Sequence, residues 1–175
     1  MAEFVLFNPD IHSDDYYQLV LEHRLNTAER VKTNHQIDMV EYLGMPIPEY
    51  VRNEFKTLAN LKPPDEVVYM LIIEGKVAGM GRISRLREDA GEIKEMFLRP
   101  QYRGKGYGKQ TLSKLLETGR ELGYSSFLLD VWKLELAARH IYTSAGFVEI
   151  ERYPENKLPP ILRPHHVYME KIEGQ

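Results

Sequence analysis

The segment Arg103-Gly104-Lys105-Gly106-Tyr107-Gly108-Lys109 constrains this chain more than any other. Three alternate glycines stand between an extended stretch closed by Pro100 and a helical one. In the latter, Leu112, Leu115, Leu116 and Leu122 recur at helical spacing, and Gly123 suits the position just past the helix end. Glycine turns the backbone tightly and lets a ligand reach its amides with no Cβ in the way. The free amides that open a helix bind anions, and Arg103, Lys105 and Lys109 add positive charge. A phosphate-bearing ligand is the natural tenant. A Walker loop would need Gly-Lys-Ser/Thr, but Gln110 follows Gly108-Lys109. The dinucleotide fingerprint needs its third glycine one residue later, although Glu121 could be offered as its acidic partner. A plain glycine turn with solvated basic residues also fits these residues taken alone.

The surrounding texture narrows the choice. Phe4 to Phe7 reads as a short strand broken by Asn8-Pro9-Asp10. Ser13 reads as the N-cap of a helix that runs to about Val31, with Leu19, Val20 and Leu25 on one stripe. A second helix starts near Pro48 and runs to about Asn60, with Val51, Phe55 and Leu58 on one side. Three strands follow. Val67 to Glu74 and Val77 to Leu86 are joined by a hairpin turn at Glu74-Gly75-Lys76, and Glu92 to Leu98 comes next. Gly79 and Gly81 suggest a bulge or a close backbone approach. After the helix that begins near the glycine turn, Ser126 to Val131 is a buried strand parallel to the third. Ala137 to Ser144 is a short helix. Phe147 to Tyr153 and Val167 to Ile172 are closing strands joined by a Pro-rich loop. The order predicts a mixed α/β chain (α+β type) with a mostly antiparallel central sheet, flanking helices and one parallel β-turn-α-β unit.

Composition sets outer bounds. The length of 175 residues suits a single domain. A formal net charge of −3 argues against nucleic-acid binding by bulk charge. The chain has no cysteine, hence no disulfide, no thiolate nucleophile and no Cys-bound zinc. No apolar run approaches the roughly 20 residues of a membrane helix, and the N-terminus lacks the pattern of a secretory leader. The expectation is a cytoplasmic protein with no metal, no nucleic acid and no membrane partner. His165 and His166 are adjacent, no His-Glu-x-x-His occurs, and the pair reads as loop or surface.

Arg103-x-x-Gly106-x-Gly108, placed after the third of these strands and opening a helix, resembles the pyrophosphate signature of the GNAT superfamily of acyl-CoA-dependent N-acetyltransferases. Downstream, Leu128-Leu129-Asp130-Val131, Ala138, Ile141-Tyr142 and Gly146-Phe147 resemble that family's later strand and helix signature. Tyr153, Asn156 and Tyr168-Met169-Glu170 resemble one branch of it. The match covers roughly residues 67 to 172, whereas residues 8 to 64 match only in coarse helix placement.

The resemblance implies the GNAT fold in one N-acetyltransferase domain over residues 1–175. Residues 1–64 supply acceptor-side helices, and 67–172 the sheet and acetyl-CoA-binding core. It implies acetyl-CoA as cosubstrate and direct acetyl transfer to a primary amine. It implies cofactor contacts from Arg103, Gly104, Lys105, Gly106, Tyr107, Gly108 and Lys109, and from the backbone of Met96, Phe97 and Leu98. Tyr142 aligns with the family tyrosine that faces the coenzyme sulfur, which makes it the candidate general acid. Glu92 occupies the place of the glutamate base in histone-type members. Glu95 is the second candidate base, and a water chain to a more distant group is a third route. Strict alternation puts Glu92, Lys94 and Met96 on one face and Ile93, Glu95 and Phe97 on the other unless a bulge intervenes. Many members carry Asn where Glu135 stands, so that position's cofactor role is not carried over. Trp132 can edge an acceptor pocket or simply pack. Acidic residues near this strand favour a cationic amine or a protein N-terminus. Pairing through the C-terminal strands gives a route to a homodimer. A non-catalytic acyl-CoA-binding module of the same fold is the alternative.

Overall fold

Asn8-Pro9-Asp10 breaks the opening strand as expected, and it also starts the longest helix among the described residues. The computed structural model describes residues 2–58 and 62–174. In it the Asn8 side chain accepts from the Asp10 amide at 2.9 Å, and Pro9 fills the first helical position, where a missing N–H costs nothing. Helix α1 therefore spans Pro9–His35 and ends at Gln36, in the left-handed region at φ 56°. Ser13, expected as the cap, lies inside it with its hydroxyl turned back to the Pro9 carbonyl. A short helix not foreseen in the sequence, α2 (Met39–Leu43), is capped by Asp38, which accepts from the Val40 and Glu41 amides. Helix α3 is Ile47–Leu58. Its expected end near Asn60 and the Leu58 side chain lie outside the described residues.

Seven strands form one sheet: β1 (Ala2–Leu6), β2 (Glu66–Ile73), β3 (Lys76–Arg87), β4 (Ala90–Leu98), β5 (Ser126–Trp132), β6 (Val148–Ile150) and β7 (His166–Ile172). Their order is β1-β2-β3-β4-β5-β7-β6, antiparallel throughout except for the parallel β4–β5 pair. The β2–β3 hairpin turns on Glu74 and Gly75, both at positive φ (51° and 73°), as a tight two-residue turn demands. β6 is shorter than expected, and Tyr153 lies in the loop beyond it.

Two layers cover the sheet. On one face α1 and α3 bury Tyr16, Leu19, Val20 and Val51 against Val68, Met70, Met80 and Phe97. On the other, α4 (Tyr107–Glu121) lays Leu112, Leu115 and Leu116 over Ile83, Ile93 and Phe127. Each such side chain taken fully from water contributes about 1.5–3 kcal/mol. The two glycines of β3 are explained by close approach. A Cβ on Gly79 would sit 2.4 Å from the Phe97 carbonyl oxygen, and one on Gly81 would sit 2.7 Å from Thr111 of α4. Helix α5 (Leu136–Ser144) packs Tyr142 into the same cluster as α4.

Candidate active site

The site begins where two strands part. β4 and β5 pair only at Ala90↔Ser126, Gly91↔Phe127 and Glu92↔Leu128. Beyond Glu92, β4 stays on β3 as far as Leu98↔Gly79, while β5 stays on β7 as far as Trp132↔His166. A wedge thus opens inside the sheet, and one edge of β4 turns its peptide groups into it. Buried or half-buried peptide groups require partners, so an extended ligand can add there as a strand does.

A bulge lies in the same stretch of β4. Met80 faces Phe97 and Arg82 faces Lys94, so two residues, Glu95 and Met96, oppose Gly81 alone. Glu95 adopts φ 52° to make this possible. Strict alternation therefore fails: Lys94 and Glu95 both turn to the α1 face, Met96 to the α4 face, and Phe97 back beneath α1.

Glu95 is thereby placed among cations. Its carboxylate takes Arg24 at 2.9 Å and lies 3.5 Å from Arg82, and the Tyr16 hydroxyl donates to it at 3.2 Å. Burial pushes this carboxyl up, but Arg82, Arg24, His23 and the Tyr16 hydrogen bond together hold it below the usual glutamate range. Glu92 is 5% exposed on the same face. The Tyr153 hydroxyl donates to one of its oxygens at 2.6 Å, and Lys94 holds the other. Both glutamates are thus engaged by protein groups.

Across the wedge, Tyr142 is 8% exposed, and its hydroxyl donates to the Met96 sulfur at 3.7 Å. A thioether is a weak acceptor, so this hydroxyl stays available to a stronger one. Burial, with the Asp130 and Glu135 charges adding to it, pushes the phenol well above its ordinary value. It remains protonated at neutral pH, as an acid must.

The glycine turn lies at the open end of the wedge. Gly104 (φ 73°) and Gly106 (φ 82°) adopt the left-handed conformation with open space on their outer sides. Gly106 occupies the N-cap of α4 and offers no side chain to the first amides of the helix, which a ligand anion can therefore take. Lys105 and Lys109 are exposed beside it. Arg103 donates to the Leu98 carbonyl at 2.9 Å and lies 5.7 Å from the centre of the Phe97 ring, which links the turn to the end of β4.

Two features were missed in the sequence. His166, expected at the surface, is 6% exposed and lies beside Asp130 of β5. Pairing of β5 with β7 brings the two together, and a lone Asp in an apolar strand was the only local signal. Glu135, just before α5, pairs with Arg30 of α1, which ties the long helix over the mouth of the wedge. Trp132 packs between His35 and His166 and also lines a small cleft below α1. A larger groove of about 610 Å³ runs between α1 and α2, with Phe97 in its floor.

The Acetyltransferase (GNAT) family model matches residues 31–147. This chain belongs to the GNAT family. It is 28% identical over 129 residues to an uncharacterized N-acetyltransferase of Lactobacillus delbrueckii subsp. lactis, covering 70% of this chain and 72% of that one. It is 30% identical over 135 residues to the IAA acetyltransferase of Azospirillum brasilense, covering 77% and 85%. Against three further curated relatives the chain spans only 34% to 44% of their length. Among solved structures, the PaiA N-acetyltransferase of Thermoplasma acidophilum, in complex with coenzyme A, superposes with a TM-score of 0.68 at 15% identity. That match covers 98% of this chain and 99% of the other. The mostly antiparallel sheet with its one parallel pair is the GNAT fold. Among the described residues no helix is long and apolar enough to cross a membrane.

Proposed function

We propose that this GNAT protein transfers an acetyl group from acetyl-CoA to a primary amine by direct attack, without a covalent enzyme intermediate. The observation that carries the reading is the alignment of three parts along one wedge. These are the glycine turn at the start of α4, the open peptide edge of β4 and the Tyr142 hydroxyl facing Met96.

In this reading the amides of residues 104–109 and the basic side chains of Arg103, Lys105 and Lys109 hold the pyrophosphate. The backbone of Met96 and Leu98 pairs with the pantetheine arm. An amide at Phe97 or Leu98 donates to the thioester oxygen, where negative charge grows during attack. Arg103 leaves the Leu98 carbonyl to let the arm pair there. Tyr142 gives its proton to the departing thiolate. The acceptor approaches from the α1 face, where a carboxylate near the base of the wedge removes the ammonium proton. Glu95 does not suit that task, since two arginines lower its affinity for a proton. No cysteine is present to require a ping-pong route.

A thermal melt with acetyl-CoA, ATP and NAD in parallel tests the cofactor half. A ligand at about 100 times its dissociation constant adds about 2.7 kcal/mol, which raises the midpoint by several degrees at about 2–4 °C per kcal/mol. A rise with acetyl-CoA alone supports the reading, whereas a rise with ATP or NAD alone overturns it. Thiol release with a panel of amines tests the transfer half, free of protein thiol background. Binding without release would leave an acyl-CoA-binding module.

A further inference from the structure

Asp130 lies on the α1 face of β5, two residues past the point where β5 parts from β4. Its side chain is 26% exposed, against 6% for Glu92. One oxygen accepts from the Asn156 amide at 2.9 Å. The other lies 3.6 Å from Nε2 of His166. His166 is held from behind, with its Nδ1 3.0 Å from the Leu162 carbonyl. A carbonyl only accepts, so Nδ1 carries the hydrogen and Nε2 turns its lone pair toward Asp130. When both groups are deprotonated, a lone pair faces a carboxylate oxygen across a poorly hydrated gap. One added proton relieves that repulsion, so the pair is built to take up a single proton.

The groups around the pair are mixed in sign. Glu92 and Lys94 face Asp130 from β4, Tyr142 from α5, Tyr153 and Asn156 from the loop after β6, and Tyr168 from β7. His35 of α1 and His165 flank His166. Burial, with Glu92 adding to it, raises the Asp130 carboxyl above the usual range, while Asn156, Lys94 and, only when it is itself protonated, His166 pull the other way. Burial keeps His166 neutral.

We propose that Asp130, backed by His166, is the group that removes the acceptor's ammonium proton, and that Glu92, enclosed between Tyr153 and Lys94, is not. This rests on the acetyltransferase reading and specifies its base. The ammonium gives one proton to Asp130. The freed lone pair forms the C–N bond to the acetyl carbon and the C–S bond breaks. The thiolate takes the Tyr142 proton, and the second nitrogen proton restores Tyr142. The proton on Asp130 leaves through its exposed side. His166 is a positioning residue that acts through Asp130.

Two measurements test this. In protein carrying ¹³C-labelled aspartate carboxyls, one resonance should titrate above the ordinary Asp value of about 3.9. It should vanish in Asp130→Asn and move to lower pH in His166→Gln. Acetyl transfer is then measured to tyramine, spermidine and an alanine-initiated peptide, using whichever the wild type accepts. Asp130→Asn should lower kcat by about 100-fold or more, leave the acetyl-CoA-induced thermal shift intact and abolish the acid limb of the pH profile. His166→Gln should keep that limb but move it to lower pH. An Asp130 resonance at or below the ordinary value, or an Asp130→Asn enzyme with wild-type kcat and limb, overturns the proposal while transfer by the wild type stands. A wild type that neither binds acetyl-CoA nor transfers overturns the underlying reading, and the base falls with it even if the carboxyl titration is as expected.

Discussion

Replacing Glu95 by Gln should damage stability far more than chemistry. The carboxylate lies between Arg24 and Arg82 with its side chain 6% exposed, and Gln keeps its shape while removing the charge. Removing one partner of a buried ion pair costs about 3–5 kcal/mol, because the remaining charges lie uncompensated. Here Arg24 keeps Glu54 at 3.1 Å and Arg82 keeps Glu66 at 3.8 Å, so the low end, about 3 kcal/mol, is expected. That corresponds to a fall in midpoint of about 6–12 °C. Urea unfolding should show a lower midpoint at unchanged slope. The folded Glu95 titrates below its unfolded value of about 4.3, so its stabilisation is complete above that value and is lost as pH falls through the folded one. The gap between wild type and variant should therefore close on acidification below about pH 4. The kcat of the folded variant should fall less than about tenfold. A variant as stable as wild type but about 100-fold slower or worse would refute the reasoning and make Glu95 the base.

Other expectations follow from single contacts. His23 is held to about 4, chiefly by burial and then by Arg24. Since the unfolded histidine titrates near 6.5, wild-type stability should fall as pH drops from about 6.5 to 4, by up to about 3 kcal/mol. His23→Gln should flatten that stretch of a urea-midpoint profile. A Cβ on Gly119 would lie 2.3 Å from the Phe127 ring and 2.9 Å from Ile83. Gly119→Ala should therefore cost about 1–3 kcal/mol in a denaturant melt despite its better helix propensity. Tyr142→Phe should lower kcat by about 100-fold or more while keeping the acetyl-CoA-induced thermal shift, and full turnover would remove Tyr142 as the acid.

What the sequence reveals is what short-range chemistry controls. The glycine turn, the leucine stripe of α4 and the Glu74-Gly75 hairpin are each fixed by residues within one or two turns of one another, and they read correctly. Gly79 and Gly81 announced a close approach, though not what approaches. The start of α1 was misplaced because Asn8-Pro9 can end one element or begin another, and only the path of the chain decides. Gly81 hinted at the bulge that faces it, but not that Glu95 would take the extra position, because the partners that hold Glu95 there, Arg82 on the next strand and Arg24 and Tyr16 on α1, are distant in sequence. Asp130 and His166 meet only through strand pairing, far apart in sequence, so neither residue carried a local sign of the other.

The bulge also explains why the site has two sides. Regular alternation from Glu92 would put Met96 on the α1 face, away from Tyr142. One extra residue in β4 sends Met96 to the α4 face, where the Tyr142 hydroxyl meets it, and leaves Glu92 and Lys94 on the α1 face with Asp130. The Tyr142 hydroxyl and the carboxylates therefore reach the wedge from opposite faces of one sheet. The glycine turn opens the helix that covers the Tyr142 face, whereas the groove with Phe97 in its floor lies among the helices of the other. A thioester entering from the first side and an amine from the second would meet at the parted strands without competing for one opening. A slip of one residue in β4 would exchange the faces. The proposed transfer therefore depends on the bulge, and a variant that restored regular alternation in β4 should lose it.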